Sequence, residues 1–178
     1  MISNLFSIPL FTYFIQDWDN KKQEFYHYIH NSDYRTQENG DFQTDRFSKR
    51  YNYAQDFQHV FSESFDEFKK EFGASKVNIK NIWTVKYSEK NQYHCPHNHS
   101  STGFSGILYM DYDPEIHLPT TFMCPWNDPI DDVSLFTNLP HPAEGIIYIW
   151  PSFLVHHAES MKSDKKRVIV SWDMEVEM

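Results

Sequence analysis

Apolar positions recur along this chain with two periods, and the change falls near residue 75. In the leading part the spacing is helical. Phe57, Val60, Phe61, Ser64, Phe65, Phe68 and Phe72 fall on one face of a 3.6-residue turn, which predicts a single helix over about Tyr53 to Phe72. Asn52 stands at its N-cap with Gln55 at the third position, a weak capping box, and Gly73 ends it. This aromatic stripe reads as the face that packs on a sheet. A second helix is expected from a cap at Asp17 or Asp19 to about His30, with Phe25, Tyr26 and Ile29 inward. Ahead of it, Ile8 to Ile15 is rich in β-formers and reads as an edge strand, where Pro9 is tolerated. Asn31 to Arg50 is polar and turn-rich, with Asn39-Gly40 as a turn signal, and reads as an ordinary loop.

Beyond residue 75 the period is two. Val77, Ile79, Trp83, Val85 and Tyr87 alternate with more polar neighbours, with a slip of phase near Asn81. Further strands are expected at Phe104 to Tyr112, Thr120 to Cys124, Gly145 to Trp150 and Arg167 to Val176. Pro151-Ser152 turns the chain into Phe153 to Glu159. Pro114, Pro119, Pro125, Pro129, Pro140 and Pro142 mark a long irregular connection. Helices first and many short strands after predict a mainly β fold, a jelly roll or barrel with the helices packed on one face. A chain of 178 residues suits one domain, with helical support over about 1–75 and a β core over about 76–178.

Composition narrows the function classes. Aromatic residues make up 17% of the chain, more than a disordered segment carries, so it folds. The net charge of −9, with Lys and Arg scattered, repels a phosphate backbone and argues against a nucleic-acid partner. No apolar run approaches the ~20 residues of a membrane helix, and the N-terminus lacks the basic start and apolar centre of a signal peptide. Cys95 and Cys124 are too few for a disulfide framework, so the expected setting is a reducing cytoplasm.

The candidate chemistry centres on histidine, the commonest metal ligand. His94, His97 and His99 fall within six positions, and His97 and His99 would share one face of an extended segment. A third ligand must come from a distant strand, and Trp150 to His157 offers His156 and His157, of which only one can face the interior. Three ligands on one face leave other coordination positions open, as non-haem Fe(II) oxygenases require for O2 and a chelating co-substrate. A dianionic co-substrate needs a cation and hydroxyl donors. Arg167 lies at the head of the last strand, 11 residues after His156, and its planar fork suits a carboxylate. Tyr87 and Ser171 are the hydroxyl candidates; Ser171, four residues after Arg167, shares its face of the strand.

In order, His97-Asn98-His99, then Phe104-Ser105-Gly106-Ile107-Leu108-Tyr109, then Gly145 through Trp150-Pro151-Ser152-Phe153-Leu154-Val155-His156, then Arg167 to Trp172 resembles the 2-oxoglutarate/Fe(II)-dependent oxygenases. It is most similar to a bacterial and phage branch with a His-x-His, a Phe-Pro-Ser-Trp-Leu-x-His-like strand and a terminal Arg-x-x-x-Ser strand. The resemblance covers about Ile82 to Asp173. It implies a double-stranded β-helix, cupin-like in architecture, holding Fe(II) at its mouth. The implied reaction couples O2 and the decarboxylation of 2-oxoglutarate to succinate and CO2 to hydroxylation of a C–H bond. His97 and His156 carry over as metal ligands and Arg167 as the anchor of the 2-oxoglutarate C5 carboxylate, with Tyr87 as a second contact. The larger superfamily has Asp or Glu where this chain has His99. Either His99 is the third ligand, or water or Asp111 fills the place. His94 is expected behind the ligands or at the surface, and His157 to point away.

Two other readings compete: a cupin-type three-His protein, a thiol dioxygenase or ligand binder that does not use 2-oxoglutarate, and a non-catalytic relative. The cupin Glu shortly after His-x-His is missing, since Gly103 and Phe104 occupy that region, and Arg167 has no required role there. The expected substrate is a small molecule or a peptide side chain. Loops 31–50 and 113–142 are the expected determinants of specificity. A homodimer is compatible with the sequence but nothing in it demands one.

Overall fold

The computed structural model describes residues 7–30, 32–47 and 54–178, with the side chains of 54–56 excepted. In chain order the elements are β1 (Phe11–Phe14), α1 (Trp18–His30), β2 (Arg35–Thr36), β3 (Gln43–Thr44), α2 (Ala54–Val60), α3 (Ser62–Phe72), β4 (Lys76–Tyr87) and β5 (His94–His97). There follow β6 (Phe104–Asp111), β7 (Thr120–Asn127), β8 (Ser134–Asn138), β9 (Ile146–Pro151), β10 (His156–Ala158) and β11 (Arg167–Glu177).

Two antiparallel sheets face each other. The larger has the strand order β1-β9-β6-β11-β4-β3-β2 and the smaller β5-β10-β7-β8. This is the expected double-stranded β-helix with helices on one sheet, and β1 is the edge strand foreseen at Ile8 to Ile15. Alternation along β11 divides the interior into two cores. Val168, Val170, Trp172 and Met174 join Phe25, Ile29, Phe57, Phe61, Phe65 and Phe68 beneath the helices. Ile169 turns the other way, to Trp83, Tyr87, Tyr109, Phe122 and Trp150 between the sheets. The slip near Asn81 is a bulge: Asp173 pairs with Asn81 but Met174 with Ile79, so Lys80 is the extra residue. It lets Val77 face the helices and Trp83, Val85 and Tyr87 face the second sheet.

The predicted helix of residues 53–72 is two helices that break at Phe61. Phe61 and Trp172 pack at 4.8 Å, and Phe68 meets Phe104 edge-on at 5.2 Å, so both halves keep their aromatic faces on the sheet. Each fully buried Phe contributes about 1.5–3 kcal/mol. Gly73 closes α3 at φ 81°, its N–H donating to the Lys69 carbonyl. Asn52 lies outside the described residues. Gly106 is required by close approach: a Cβ there would overlap the Trp172 indole and come within 2.8 Å of the Tyr148 carbonyl.

Two further expectations need correction. The segment read as a loop at 31–50 contains β2 and β3, which extend the large sheet beside β4 around a turn where Gly40 has φ 108°. The Pro-rich stretch read as irregular contains the rest of β7, which runs through Pro125, and the whole of β8. β8 is solvent-exposed along its length and edges the small sheet, so its residues carry no inside–outside alternation.

Candidate metal centre

β5 and β10 are antiparallel neighbours, and His97 stands opposite His156 in their register. His99 follows two residues past the end of β5, where its backbone N–H donates to the Ser152 carbonyl at 3.1 Å. The ligand nitrogens of His97, His99 and His156 all lie within 4.8 Å of one another. The ring centroids are 4.5 Å apart for His97 and His156, 4.9 Å for His99 and His156, and 5.3 Å for His97 and His99.

The second nitrogen of each ring faces an acceptor. His97 Nδ1 is 2.8 Å from the Cys95 carbonyl and His156 Nδ1 is 3.0 Å from the Leu154 carbonyl. His99 Nδ1 lies 2.7 Å from Asp173 Oδ1, in a contact too bent for a well-aligned hydrogen bond. Carbonyl acceptors place the proton of the His97 and His156 rings on Nδ1 and leave the Nε2 lone pair for a cation. Burial is the main reason that these rings stay neutral: it lowers His97 to about 4 and His156 well below its ordinary value. Neutral imidazole is the form that binds a metal. Trp83 packs on His99 at 5.2 Å, and Trp150 and Phe122 on His156 at 5.1 and 5.7 Å, which makes the surroundings apolar. Three imidazole nitrogen donors in an apolar recess suit a divalent transition metal such as Fe(II).

The other candidates separate from this group. His94 stacks on His97 at 4.0 Å, packs against Phe42 at 4.4 Å and lines the same cavity without joining the group of three, and burial lowers it to about 3. His157, one residue from His156, is directed to the opposite face, where Nε2 meets Glu159 at 3.0 Å. Asp111 points toward α1 and is paired with Lys22 at 3.1 Å and Lys166 at 3.2 Å, so it cannot fill the third position.

Arg167 is 1% exposed. Its guanidinium sits among the rings of Tyr87, Tyr109 and Tyr112, at 5.2, 5.6 and 5.9 Å, and Nη2 is 3.4 Å from Thr120 Oγ1. Among the described residues no carboxylate pairs with it, and Arg167 Nε and Tyr87 Oη are buried without a hydrogen-bond partner. Burial pushes the Tyr87 hydroxyl up to about 12 against the opposing effect of Arg167, so it remains an O–H donor. Tyr87, Thr120, Ile169 and Ser171 line the same cavity as the three histidines, with Arg167 one contact behind Thr120 and Tyr87. Ser171 donates to the Gly106 carbonyl at 3.3 Å. A buried cation and unsatisfied donors beside a recess of imidazoles fit an acidic chelator bound to a metal.

A family model described as "Putative 2OG-Fe(II) oxygenase" matches residues 81–173, just over half of the chain. The chain belongs to this family. It is therefore an Fe(II)- and 2-oxoglutarate-dependent oxygenase that uses O2. Solved structures share the fold at low identity. An oxidoreductase of the 2OG-Fe(II) oxygenase family from Burkholderia pseudomallei is 10% identical, with 92% of this chain and 85% of that one covered and a TM-score of 0.71. A Pseudomonas putida prolyl-4-hydroxylase is 9% identical, over 92% and 91% of the two chains, with a TM-score of 0.59. HygX from Streptomyces hygroscopicus, solved with nickel and 2-oxoglutarate bound, is 8% identical over 93% and 82%, with a TM-score of 0.58. No curated protein sequence matches the chain. No helix among the described residues is long and apolar enough to cross a membrane.

Sequence reasoning missed several residues in and around this cavity. Thr120 opens β7 with nothing in its neighbourhood to mark it. Phe42 and Arg46, from around β3, touch residues that line the cavity, Phe42 against Tyr87 at 5.6 Å and Arg46 over Trp83 at 4.3 Å. Asp173 shares the parity of Arg167 and Ser171 on β11, and that alternation was the available signal.

Proposed function

We propose that this oxygenase is a single-domain hydroxylase in which His97, His99 and His156 hold Fe(II), and in which Arg167, with Tyr87, holds the C5 carboxylate of 2-oxoglutarate. One observation carries this reading: three imidazoles converge within 4.8 Å while a buried guanidinium without a carboxylate partner stands behind the same cavity. With metal and co-substrate bound, decarboxylation of 2-oxoglutarate to succinate and CO2 by O2 supplies the oxidising power for a C–H bond. The protein's own contribution is placement. The carbonyls of Cys95 and Leu154 hold two rings in the ligating tautomer. Trp83, Phe122 and Trp150 exclude water from them. Tyr87 offers an unpartnered hydroxyl at the cavity wall, Thr120 Oγ1 ties Tyr109 and Arg167 to that wall at 3.0 and 3.4 Å, and Ser171 lines it on the same strand face as Arg167. The cavity is narrow, with about 20 Å³ of free volume, so the seating of 2-oxoglutarate displaces side chains that fill it.

The substrate is a small molecule or a peptide side chain. The net charge of −9 disfavours nucleic acid. A reducing cytoplasm suits a protein whose two cysteines are free. The test measures succinate and CO2 from 2-oxoglutarate with Fe(II) and O2, together with direct 2-oxoglutarate binding under anaerobic conditions, in the wild type and Arg167→Ala. Binding and turnover in the wild type, both lost in the variant, are expected. Metal binding without 2-oxoglutarate binding would replace this reading with the three-His protein that does not use 2-oxoglutarate.

A further inference from the structure

We propose that Asp173 is the carboxylate of this metal centre, moved from the ion to the far side of His99, where it acts as a positioning residue for that ligand. The inference rests on the reading of His99 as a ligand. Of the three rings, His97 and His156 turn Nδ1 to backbone carbonyls, which are neutral. His99 alone turns Nδ1 to a carboxylate, at 2.7 Å. Three imidazoles around a divalent ion leave a net +2, against +1 when one ligand is a carboxylate. With Asp173 counted, the total returns to +1.

Asp173 is held for this purpose by a closed circuit of contacts. Ser105 Oγ donates to Asp173 Oδ1 at 3.3 Å and lies 2.7 Å from Ser152 Oγ. The Ser152 carbonyl accepts the His99 backbone N–H at 3.1 Å, so ring and backbone of His99 are tied to the same cluster. Asn81 Nδ2 approaches the other carboxylate oxygen at 3.4 Å. The His99 side chain is 2% exposed and Asp173 15%, so water screens the pair weakly. A carboxylate behind a ligating imidazole fixes the ring and raises its basicity toward the metal. Arg167 and Asp173 stand on one face of β11, so a single strand places both the co-substrate anchor and the support of the third ligand.

The experiment titrates metal-free protein with Co(II) alone, by calorimetry and d–d absorption, in the wild type, His99→Ala, Asp173→Asn, His99→Asp and the double variant His99→Asp/Asp173→Asn. Far-UV circular dichroism checks folding, and Asp173→Ser replaces Asp173→Asn if the latter fails to fold. Loss of Asp173 is expected to weaken Co(II) by about 10–100-fold in the wild-type background. In the His99→Asp background, where the carboxylate is on the metal itself, the same loss should change affinity by less than about 3-fold or strengthen it. Wild-type affinity in His99→Ala would remove the ligand reading. Weakening in His99→Ala but not in Asp173→Asn would overturn this proposal alone. Equal weakening by Asp173→Asn in both backgrounds would reduce Asp173 to a structural residue and also overturn it.

Discussion

Replacing Arg167 with Met separates a ligand anchor from a structural ion pair. The guanidinium is 1% exposed, has no carboxylate partner among the described residues, and leaves Nε unsatisfied. A bound carboxylate would complete a buried ion pair, and removing one member of such a pair costs about 3–5 kcal/mol. At about 1.4 kcal/mol per decade, 2-oxoglutarate should bind the variant about 10²–10⁴-fold more weakly. At 100 times its dissociation constant, 2-oxoglutarate stabilises the wild type by about 2.7 kcal/mol. For a chain of this size that is a rise in Tm of about 5–11 °C. At the same concentration the variant should gain about 1 °C or less. Without 2-oxoglutarate the variant should stay within about 1–2 kcal/mol of the wild type, because Met removes a desolvated cation while losing cation–π contacts worth about 0.5–2 kcal/mol each. Differential scanning fluorimetry of anaerobic, Fe(II)-loaded protein reads both quantities. A variant that keeps the full 2-oxoglutarate shift, or one that loses about 3–5 kcal/mol in its absence, would refute the assignment.

The remaining predictions are independent of that one. Tyr87→Phe should weaken 2-oxoglutarate by about 10–150-fold, the value of one hydrogen bond to a charged group, and leave the unliganded Tm unchanged or higher because the buried hydroxyl has no partner there; isothermal titration measures the first and a thermal melt the second. Metal-free protein should lose stability on acidification from about pH 6.5 to 4, because His94 at about 3, His97 at about 4 and His156, also lowered, bind fewer protons folded than unfolded in that window. Each contributes a slope of up to about 1.4 kcal/mol per pH unit, and equal urea midpoints at pH 7 and 5 in the presence of a chelator would contradict this. Gly106→Ala should destabilise the fold by about 1–3 kcal/mol or more through overlap with Trp172 and the Tyr148 carbonyl, read as a lower urea midpoint at an unchanged slope.

Much of the architecture was legible because one face of nearly every element is buried. The stripe of Phe57, Phe61, Phe65 and Phe68 and the alternation of β4 and β11 each report an inside and an outside. Even the slip near Asn81 was visible, since an extra residue inverts the pattern. The break at Phe61 was not, because both helices continue the same apolar face across it. β8 escaped notice because an exposed edge strand has no buried side to betray it. β2 and β3, two residues each, are too short to show a period.

The sequence alone determined the residue types and their order: His-x-His, a later His-His, and an Arg at the head of the last strand. It also determined the parity by which Arg167, Ser171 and Asp173 share a face. Tertiary structure decided which groups meet. Pairing of β5 with β10 set His97 against His156 and sent His157 outward, while Lys22 and Lys166 claimed Asp111 for the helix side. It also brought Asp173 to His99 across 74 positions of chain and left Arg167 among three tyrosine rings without a counter-charge. Local patterns report burial, which each residue expresses by itself. Convergence depends on strand register between distant segments, and no local pattern carries that.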